Sequence, residues 1–336
     1  MNRTHMEALF EAIAGRTIIV IGDYLLDQYM IGDTGRVSRE APVVVVNYKR
    51  SSYHPGGAAN AARNIASLGG TALAVGVVGD DAEGRMLSGL LRTMRVDVEG
   101  LKTGGSIETS LKIRIMSGDL HAQKQQVARV DRLRRLDPQD GVFGELLAYL
   151  EQKIETCDGV LISDYGLGVV PGALSERAIQ LGRARGIPVV VDSRHCLLEY
   201  GGATVATPNE VEALEALGLD AESAAPVEET ADRLVTAAGL DSIIITRGNS
   251  GMFVRSADGA TSTIGIIGSD EATDVTGAGD TVAATITLAL AAGGSVREAA
   301  EMATCTAAVV VMKRGTADVS PDEVRALLDK HAASGI

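Results

Sequence analysis

Short β-branched runs that end in Gly or Asp alternate along this chain with segments of helical length, and no other feature constrains the fold as strongly. The first run is Thr17–Asp23, and others follow at Ala72–Val78, Gly159–Ser163, Ile187–Asp192 and Ser242–Thr246. Helix-like segments lie between them near Ala58–Leu68, Glu83–Met94, Gly144–Thr156, Pro171–Arg185 and Val227–Ala238. Strands that are apolar almost throughout must be buried on both faces, which predicts an α/β fold with a mostly parallel sheet and helices on each side. From Gly277 onward the pattern turns helical, with a break at Gly293-Gly294 and a fresh start at Ser320-Pro321.

Two stretches depart from this rhythm. Residues 28–50, around VVVVNYK, and residues 108–132 alternate in the manner of charged β ribbons, which predicts a small second sheet lying over the main one as a lid. With 336 residues, no Pro/Ser-rich linker and no internal repeat, the chain reads as one domain over residues 1–336.

Charge and composition narrow the ligands. Asp plus Glu number 44 against 31 for Lys plus Arg, and only 3% of residues are aromatic, so neither a polyphosphate backbone nor stacked bases are met by the surface at large. Nucleic acid is excluded as a partner. The three cysteines, Cys157, Cys196 and Cys305, are scattered, as expected for reduced cytoplasmic thiols. The five histidines lack metal-binding spacing, and the polar N-terminal segment is no signal peptide. The longest apolar stretches, such as Val282–Ala292, fall short of the roughly 20 residues of a membrane span. The expected location is therefore the cytoplasm.

The strongest chemical signal is Asp274–Asp280, DVTGAGD, followed by the apolar TVAATITLALAA. Gly277, Ala278 and Gly279 allow a tight turn into a buried helix, whose N-terminal N–H groups can hold an anion. Asp280 there suits a base that takes a proton from a hydroxyl attacking a phosphoryl group; it equally suits a helix cap. A second signal is Gly56-Gly57 with Asn60 in the first turn of an Ala-rich helix. Those residues suit either close approach of a hydroxylated ligand or close packing of the helix. A P-loop, a dinucleotide fingerprint and the protein-kinase triplets are all absent.

Together these segments resemble the PfkB/ribokinase family of carbohydrate kinases, with its GG-x-x-N and D-x-x-GAGD elements. The likeness extends to IGDYLLDQY, GVVGDDAEG, ISDY, ATPNEVE and ITRGNSG, and so spans nearly the whole chain. Within the family it is most similar to the D-glycero-β-D-manno-heptose 7-phosphate kinases of lipopolysaccharide synthesis. The resemblance implies a ribokinase-like fold and phosphoryl transfer from ATP to a sugar or sugar phosphate, with Asp280 as base and Gly277–Gly279 as anion hole. It implies that Asn209 contacts ATP phosphates, that Glu212 organises Mg²⁺ through water, and that Thr246, Gly248 and Gly251 face the nucleotide. Asn209 and Glu212 also suit a helix N-terminal cap. By the same likeness Asp23, Asp27, Gly56, Gly57 and Asn60 bind the sugar, and Asp274, Thr276 and the region around Gly315 form a K⁺ loop. A homodimer through the lid is implied too.

A sugar phosphate also needs cations, and Arg36, Arg39, Lys112, Arg114 and Arg129 fall in the lid segments. Lys112 and Arg114 are the expected phosphate ligands, although charge on a β ribbon also protects an exposed edge. Two positions depart from the heptose kinases: Leu167 stands where they carry Lys, and Ser193-Arg194-His195 follows Asp192 where they read PKG. The stretch between Met116 and Gln125 is longer than usual, and the chain is expected to lack the adenylyltransferase domain that many of these kinases carry. Another phosphosugar or free sugar as substrate, and a silent sugar-binding protein on the same fold, are the alternatives.

Overall fold

The computed structural model describes residues 3–104, 107–118, 124–137, 141–220, 223–268 and 272–333, with the side chains of Arg36, Ala332 and Ala333 excepted. Helix α1 (Arg3–Ala12) precedes strand β1 (Thr17–Gly22). Two long strands follow, β2 (Tyr24–Val37) and β3 (Val44–Gly57), then α2 (Ala58–Ser67) and β4 (Thr71–Gly79). Helix α3 (Ala82–Thr93) leads to β5 (Leu101–Gly104), β6 (Ser110–Ser117) and β7 (Gln125–Arg132). Next come α4 (Val142–Lys153), β8 (Gly159–Asp164), α5 (Ala173–Arg185), β9 (Val189–Ser193) and β10 (Val205–Ala206). Helices α6 (Glu210–Ala216) and α7 (Val227–Ala238) precede β11 (Ser242–Thr246), β12 (Met252–Arg255) and β13 (Thr261–Ile264). Helices α8 (Ala278–Ala291), α9 (Val296–Val310) and α10 (Pro321–Ala333) complete the series.

The main sheet runs in the order β13-β12-β11-β10-β9-β8-β1-β4-β5. Its strands pair in parallel from β5 to β11, and only the β11–β12–β13 edge is antiparallel. Period-2 alternation along β1 shows why both faces are covered. Ile18 and Val20 join the apolar layer that includes α1, α2, α8 and α9, whereas Ile19 and Ile21 join the layer formed with α4, α5 and α7. The expected helices are found within a few residues of their predicted limits. The β12–β13 hairpin and the short α1 and β5 were not anticipated, being too brief to carry a clear period.

Four strands form the second sheet, in the order β3-β2-β6-β7. The first begins earlier than the expected ribbon, at Tyr24, and its partner β3 continues to Gly57, whereas the second begins slightly later, at Ser110. Residues 119–123, within the stretch expected to be long, lie outside the described residues. Parallel pairing places Asp27 beside Lys112 and Tyr29 beside Arg114, and β7 adds Asp131 and Arg129 opposite them. Because side chains of paired residues share a face, one face of this sheet gathers two acids and three cations.

Gly57 joins the two sheets. It has φ 60° at the N-cap of α2, and a Cβ there would stand 2.6 Å from the Asp23 carbonyl oxygen, which accepts the Ala58 N–H at 3.1 Å. Left-handed backbone and lack of space together require Gly. Gly57→Ala is expected to destabilise the protein by about 1–3 kcal/mol, the usual cost of a residue forced into sparsely populated backbone geometry. Urea unfolding measures it, and an unchanged midpoint would contradict the close approach.

Candidate active site

The chain leaves β1 for β4 and β5 on one side and later returns to build β8 to β11 on the other. That reversal opens a crevice at the carboxyl ends of β1 and β8, the position where open α/β sheets bind ligands. Asp23 follows β1 and is only 2% exposed. Its carboxylate accepts the N–H groups of Tyr165 at 2.8 Å, Leu167 at 3.0 Å and Val169 at 3.3 Å. Burial pushes this carboxyl up to about 6 against the opposing effect of those bonds. Asp23, expected at the sugar hydroxyls, is bonded to the loop after β8. Asp164, also buried, accepts bonds from Ser193 Oγ at 2.7 Å, Tyr200 Oη at 2.8 Å and Gly166 N at 2.8 Å, tying the ends of β8 and β9 together.

This loop delivers Tyr165 to Asp280. The Tyr165 hydroxyl donates to Asp280 Oδ1 at 2.6 Å, and Asn60 Nδ2, from α2, donates to Oδ2 at 2.8 Å. Asp280 is 3% exposed, in the first turn of α8 after Gly277 at φ 80°. Burial raises its pKa, while the bonds from Tyr165 and Asn60 and the charge of Arg194 act the other way. The N–H groups of Gly277, Gly279 and Asp280 have no partner among the described residues. Ala278 differs from expectation, because its N–H already donates to the Val275 carbonyl at 3.2 Å.

A cavity of about 600 Å³ opens in front of this helix end. Thr246, Gly248 and Gly251 line its far side. Gly251 has φ 81°, and a Cβ there would lie 2.0 Å from the Ile264 carbonyl oxygen, so Gly is needed for β12 to meet β13. Between the two ends, Asn209 and Glu212 cap α6 reciprocally: each side chain accepts the other's N–H at 2.9 Å. They line the cavity while performing the capping role that the sequence also allowed. Asp192 faces the same space. Burial and then the charges of Asp280 and Glu212 push it up to about 8.

Gly56 and Gly57 do not open the backbone to a ligand as expected. A Cβ on Gly56 would meet Leu25 Cδ1 at 2.4 Å and Asp27 Oδ2 at 2.8 Å, so the space is already filled by protein. Asp27 and Arg114, expected at the sugar and at its phosphate, meet each other. They form an ion pair at 2.6 Å with side-chain exposures of 3% and 11%, and Arg114 also lines the cavity. Lys112 differs. It is 7% exposed, its ammonium lies 4.8 Å from the centre of the Tyr165 ring, and no ion pair holds it among the described residues. Burial, followed by the repulsion of Arg194, lowers its pKa. Arg129 pairs with Asp131, Arg39 is exposed between β2 and β3, and the Arg36 side chain lies outside the described residues.

The two departures in the sequence land in different places. The side chain of Leu167 is buried and its N–H serves Asp23. Arg194 lines the cavity, with its guanidinium carbon 4.1 Å from the centre of the Tyr165 ring. Tyr165 and Asp192 were missed as site residues, although each closes a β-branched run at a strand's carboxyl end, which is the usable signal. Asp274 accepts the N–H of Thr276 at 2.9 Å and that of Gly315 at 2.8 Å, so the proposed cation loop is tied through this carboxylate. Among the described residues no three His, Cys, Asp or Glu side chains cluster as a metal site, and no helix is long and apolar enough to cross a membrane.

Comparison with known proteins agrees with this arrangement. The family model described as pfkB family carbohydrate kinase matches residues 16–323. The bifunctional protein HldE of Caulobacter vibrioides is 40% identical over 319 residues, covering 94% of this chain and 64% of that protein. Its counterpart from Geobacter metallireducens is 38% identical, covering 96% and 65%. The chain thus spans a little under two thirds of these relatives' length. In fold it is similar to Arabidopsis thaliana ribokinase complexed with ribose and ATP, with a TM-score of 0.72, 19% identity and coverage of 94% and 99%. Phosphofructokinase-2 from Escherichia coli in complex with potassium gives 0.72, 21%, 95% and 99%. The ribokinase-like fold is thereby established.

Replacing Asp23 tests the frame of the site. Asp23→Asn puts an amide nitrogen among buried N–H groups, so a loss of about 1–3 kcal/mol is expected for a group left unsatisfied. Denaturant unfolding reads that cost; undiminished stability would mean the loop after β8 is held by something else.

Proposed function

The chain belongs to the pfkB family of carbohydrate kinases, and from that premise we propose that it transfers the γ-phosphoryl group of ATP to a hydroxyl of a phosphorylated sugar, with a heptose 7-phosphate becoming the 1,7-bisphosphate. The observation that carries the reading is Asp280, a buried carboxylate at a helix N-terminus next to three N–H groups that have no partner among the described residues. A carboxylate repels a phosphate and has a use beside one only if it removes the acceptor's proton. The open N–H groups then meet the charge on the transferring group, where fixed dipoles are most effective.

ATP fits the long cavity between Thr246 and Gly277. Asn209 and Glu212 would face its phosphates and a hydrated Mg²⁺, and the mutual repulsion of Asp192, Glu212 and Asp280 favours a dication there. Bound Mg²⁺ supplies charge neutralisation of the phosphates. We assign K⁺, where the enzyme uses it, to the loop that Asp274 ties to Gly315, and the reaction to the cytoplasm. Exposed Val37, Val44, Tyr48, Val127 and Val130 on the second sheet support pairing of two copies through it, and support its role as lid.

The anionic acceptor rests on Lys112. A buried ammonium that has no ion-pair partner among the described residues is costly, and a phosphate on the acceptor would relieve it. The choice of heptose among phosphosugars rests on similarity to the HldE proteins. A coupled ADP-release assay over D-glycero-β-D-manno-heptose 7-phosphate, fructose 6-phosphate, ribose and fructose checks it. A hexose or pentose preferred by more than about tenfold, roughly 1.4 kcal/mol in the transition state, would overturn the heptose and leave the kinase.

Asp280→Asn should lower kcat by roughly 10²–10⁴-fold, the contribution of a general base, with MgATP still bound. Because only the ionised carboxylate is a base and burial raises its pKa, kcat/KM should begin to fall with decreasing pH above the ordinary Asp value of about 3.9. Wild-type turnover in Asp280→Asn would refute the assignment. Lys112→Met should raise KM for the phosphosugar about tenfold or more, as for a lost charge-assisted bond, and change KM for the unphosphorylated sugar little. Equal changes for both would mean that Lys112 serves the sheet alone.

A further inference from the structure

We infer that Tyr165 guards the base: before an acceptor binds, its hydroxyl holds the place of the acceptor hydroxyl on Asp280 and so restrains hydrolysis of ATP by water. The inference rests on the reading of Asp280 as general base. Both carboxylate oxygens already have a donor, Tyr165 on Oδ1 at 2.6 Å and Asn60 on Oδ2 at 2.8 Å. Asn60 is fixed in α2 and fully buried, so it stays. Tyr165 lines the cavity beside Asp280. A water or sugar that is to give Asp280 its proton therefore competes with the phenol at Oδ1.

The phenol is suited to this role. Burial and the neighbouring carboxylate raise its pKa well above the usual value, so it remains a donor and neither takes the nucleophile's proton nor attacks in its place. Its backbone is pinned by Asp23, and Lys112 and Arg194 lie over its ring at 4.8 and 4.1 Å. Cation–π contacts of this kind are weaker than the charge-assisted bonds the same cations make with phosphate. A phosphorylated acceptor draws both cations off the ring and offers its own hydroxyl to Oδ1. Water can do neither.

The two reactions share one balance. The nucleophile's oxygen forms a bond to the γ-phosphorus while the bond to the bridging oxygen breaks, ADP leaves with that electron pair, and the nucleophile's proton passes to Asp280. With a sugar the product is the phosphosugar; with water it is inorganic phosphate. Removing the guard therefore shifts the partition between them, a readout that a merely structural role would not move in this direction.

The test is Tyr165→Phe, which keeps the ring and both overlying cations. Phosphate release from MgATP without sugar and phosphorylation of D-glycero-β-D-manno-heptose 7-phosphate are measured alongside MgATP binding. A hydrogen bond to a charged group corresponds to about ten- to a hundredfold in occupancy, so sugar-free hydrolysis should rise by that factor while MgATP binds as before. Unchanged or slower hydrolysis overturns the guard. Lost MgATP binding overturns it as well, since Tyr165 would then serve the fold and not the base. The reading of Asp280 is tested apart: retained phosphorylation in Asp280→Asn defeats that reading, whatever Tyr165→Phe does.

Discussion

Three N–H groups on one buried carboxylate hold the site together. The loop after β8 has no strand to pair with, and buried N–H groups left without acceptors are expensive. Asp23 satisfies Tyr165, Leu167 and Val169 at once. These partners lie up to 146 residues from Asp23 in sequence, so the contact exists only once β1 and β8 are neighbours. Tyr165 then reaches Asp280, a further 115 residues along the chain. The position of the candidate base is thus a consequence of strand order. Gly57 belongs to the same junction, because its left-handed turn lets the Asp23 carbonyl receive the first N–H of α2, and α2 carries Asn60.

Charge is distributed with equal economy. The chain is acidic overall, at −13, yet the second sheet turns Lys112, Arg114 and Arg129 to one face. Two of the three are neutralised by Asp27 and Asp131. Burying Arg114 or Asp27 alone would leave a desolvated charge without compensation, which explains why they occur as a pair. Lys112 is the residual cation, softened by the Tyr165 ring. Beyond that ring Arg194 stands among Asp192, Asp280 and Glu212, so positive charge lies between the acceptor side and the nucleotide side.

Much of this was legible before folding. Alternation of apolar runs with helices determined the sheet and its two apolar layers, and the Gly-Ala-Gly turn located the start of α8. The charged ribbons predicted the second sheet because alternation survives in a strand covered on one face only. What escaped was mostly pairwise. Asp23 and Asp27 looked alike as acids near a strand end, but one is consumed by backbone N–H groups and the other by Arg114, which residue type and spacing do not reveal. The glycines at 56 and 57 were singled out for ligand approach or close packing, while the atoms that crowd them come from the paired strand, at Leu25 and Asp27, and from the Asp23 carbonyl just before it. Tyr165 was passed over for a related reason: an aromatic after a strand becomes a site residue only when a distant carboxylate meets its hydroxyl.

The candidate base faces opposed demands. Transfer to a sugar and not to water requires a closed, dry site, yet desolvation favours the neutral acid, which cannot take a proton. The structure answers with directed donors and no full counter-ion. Asn60 and Tyr165 bond the carboxylate, the helix N-terminus contributes its partial positive charge, and Arg194 acts through space. A direct ion pair of the kind Asp27 makes with Arg114 would keep Asp280 ionised more firmly, but it would make the carboxylate a poorer base and occupy the oxygen the acceptor needs. Neutral donors lie between these limits: strong enough to hold the charge, weak enough for a hydroxyl to exchange with one of them. On this reasoning Asp27 and Asp280 show the two fates of a buried carboxylate in one fold, one neutralised for structure and the other kept available for chemistry.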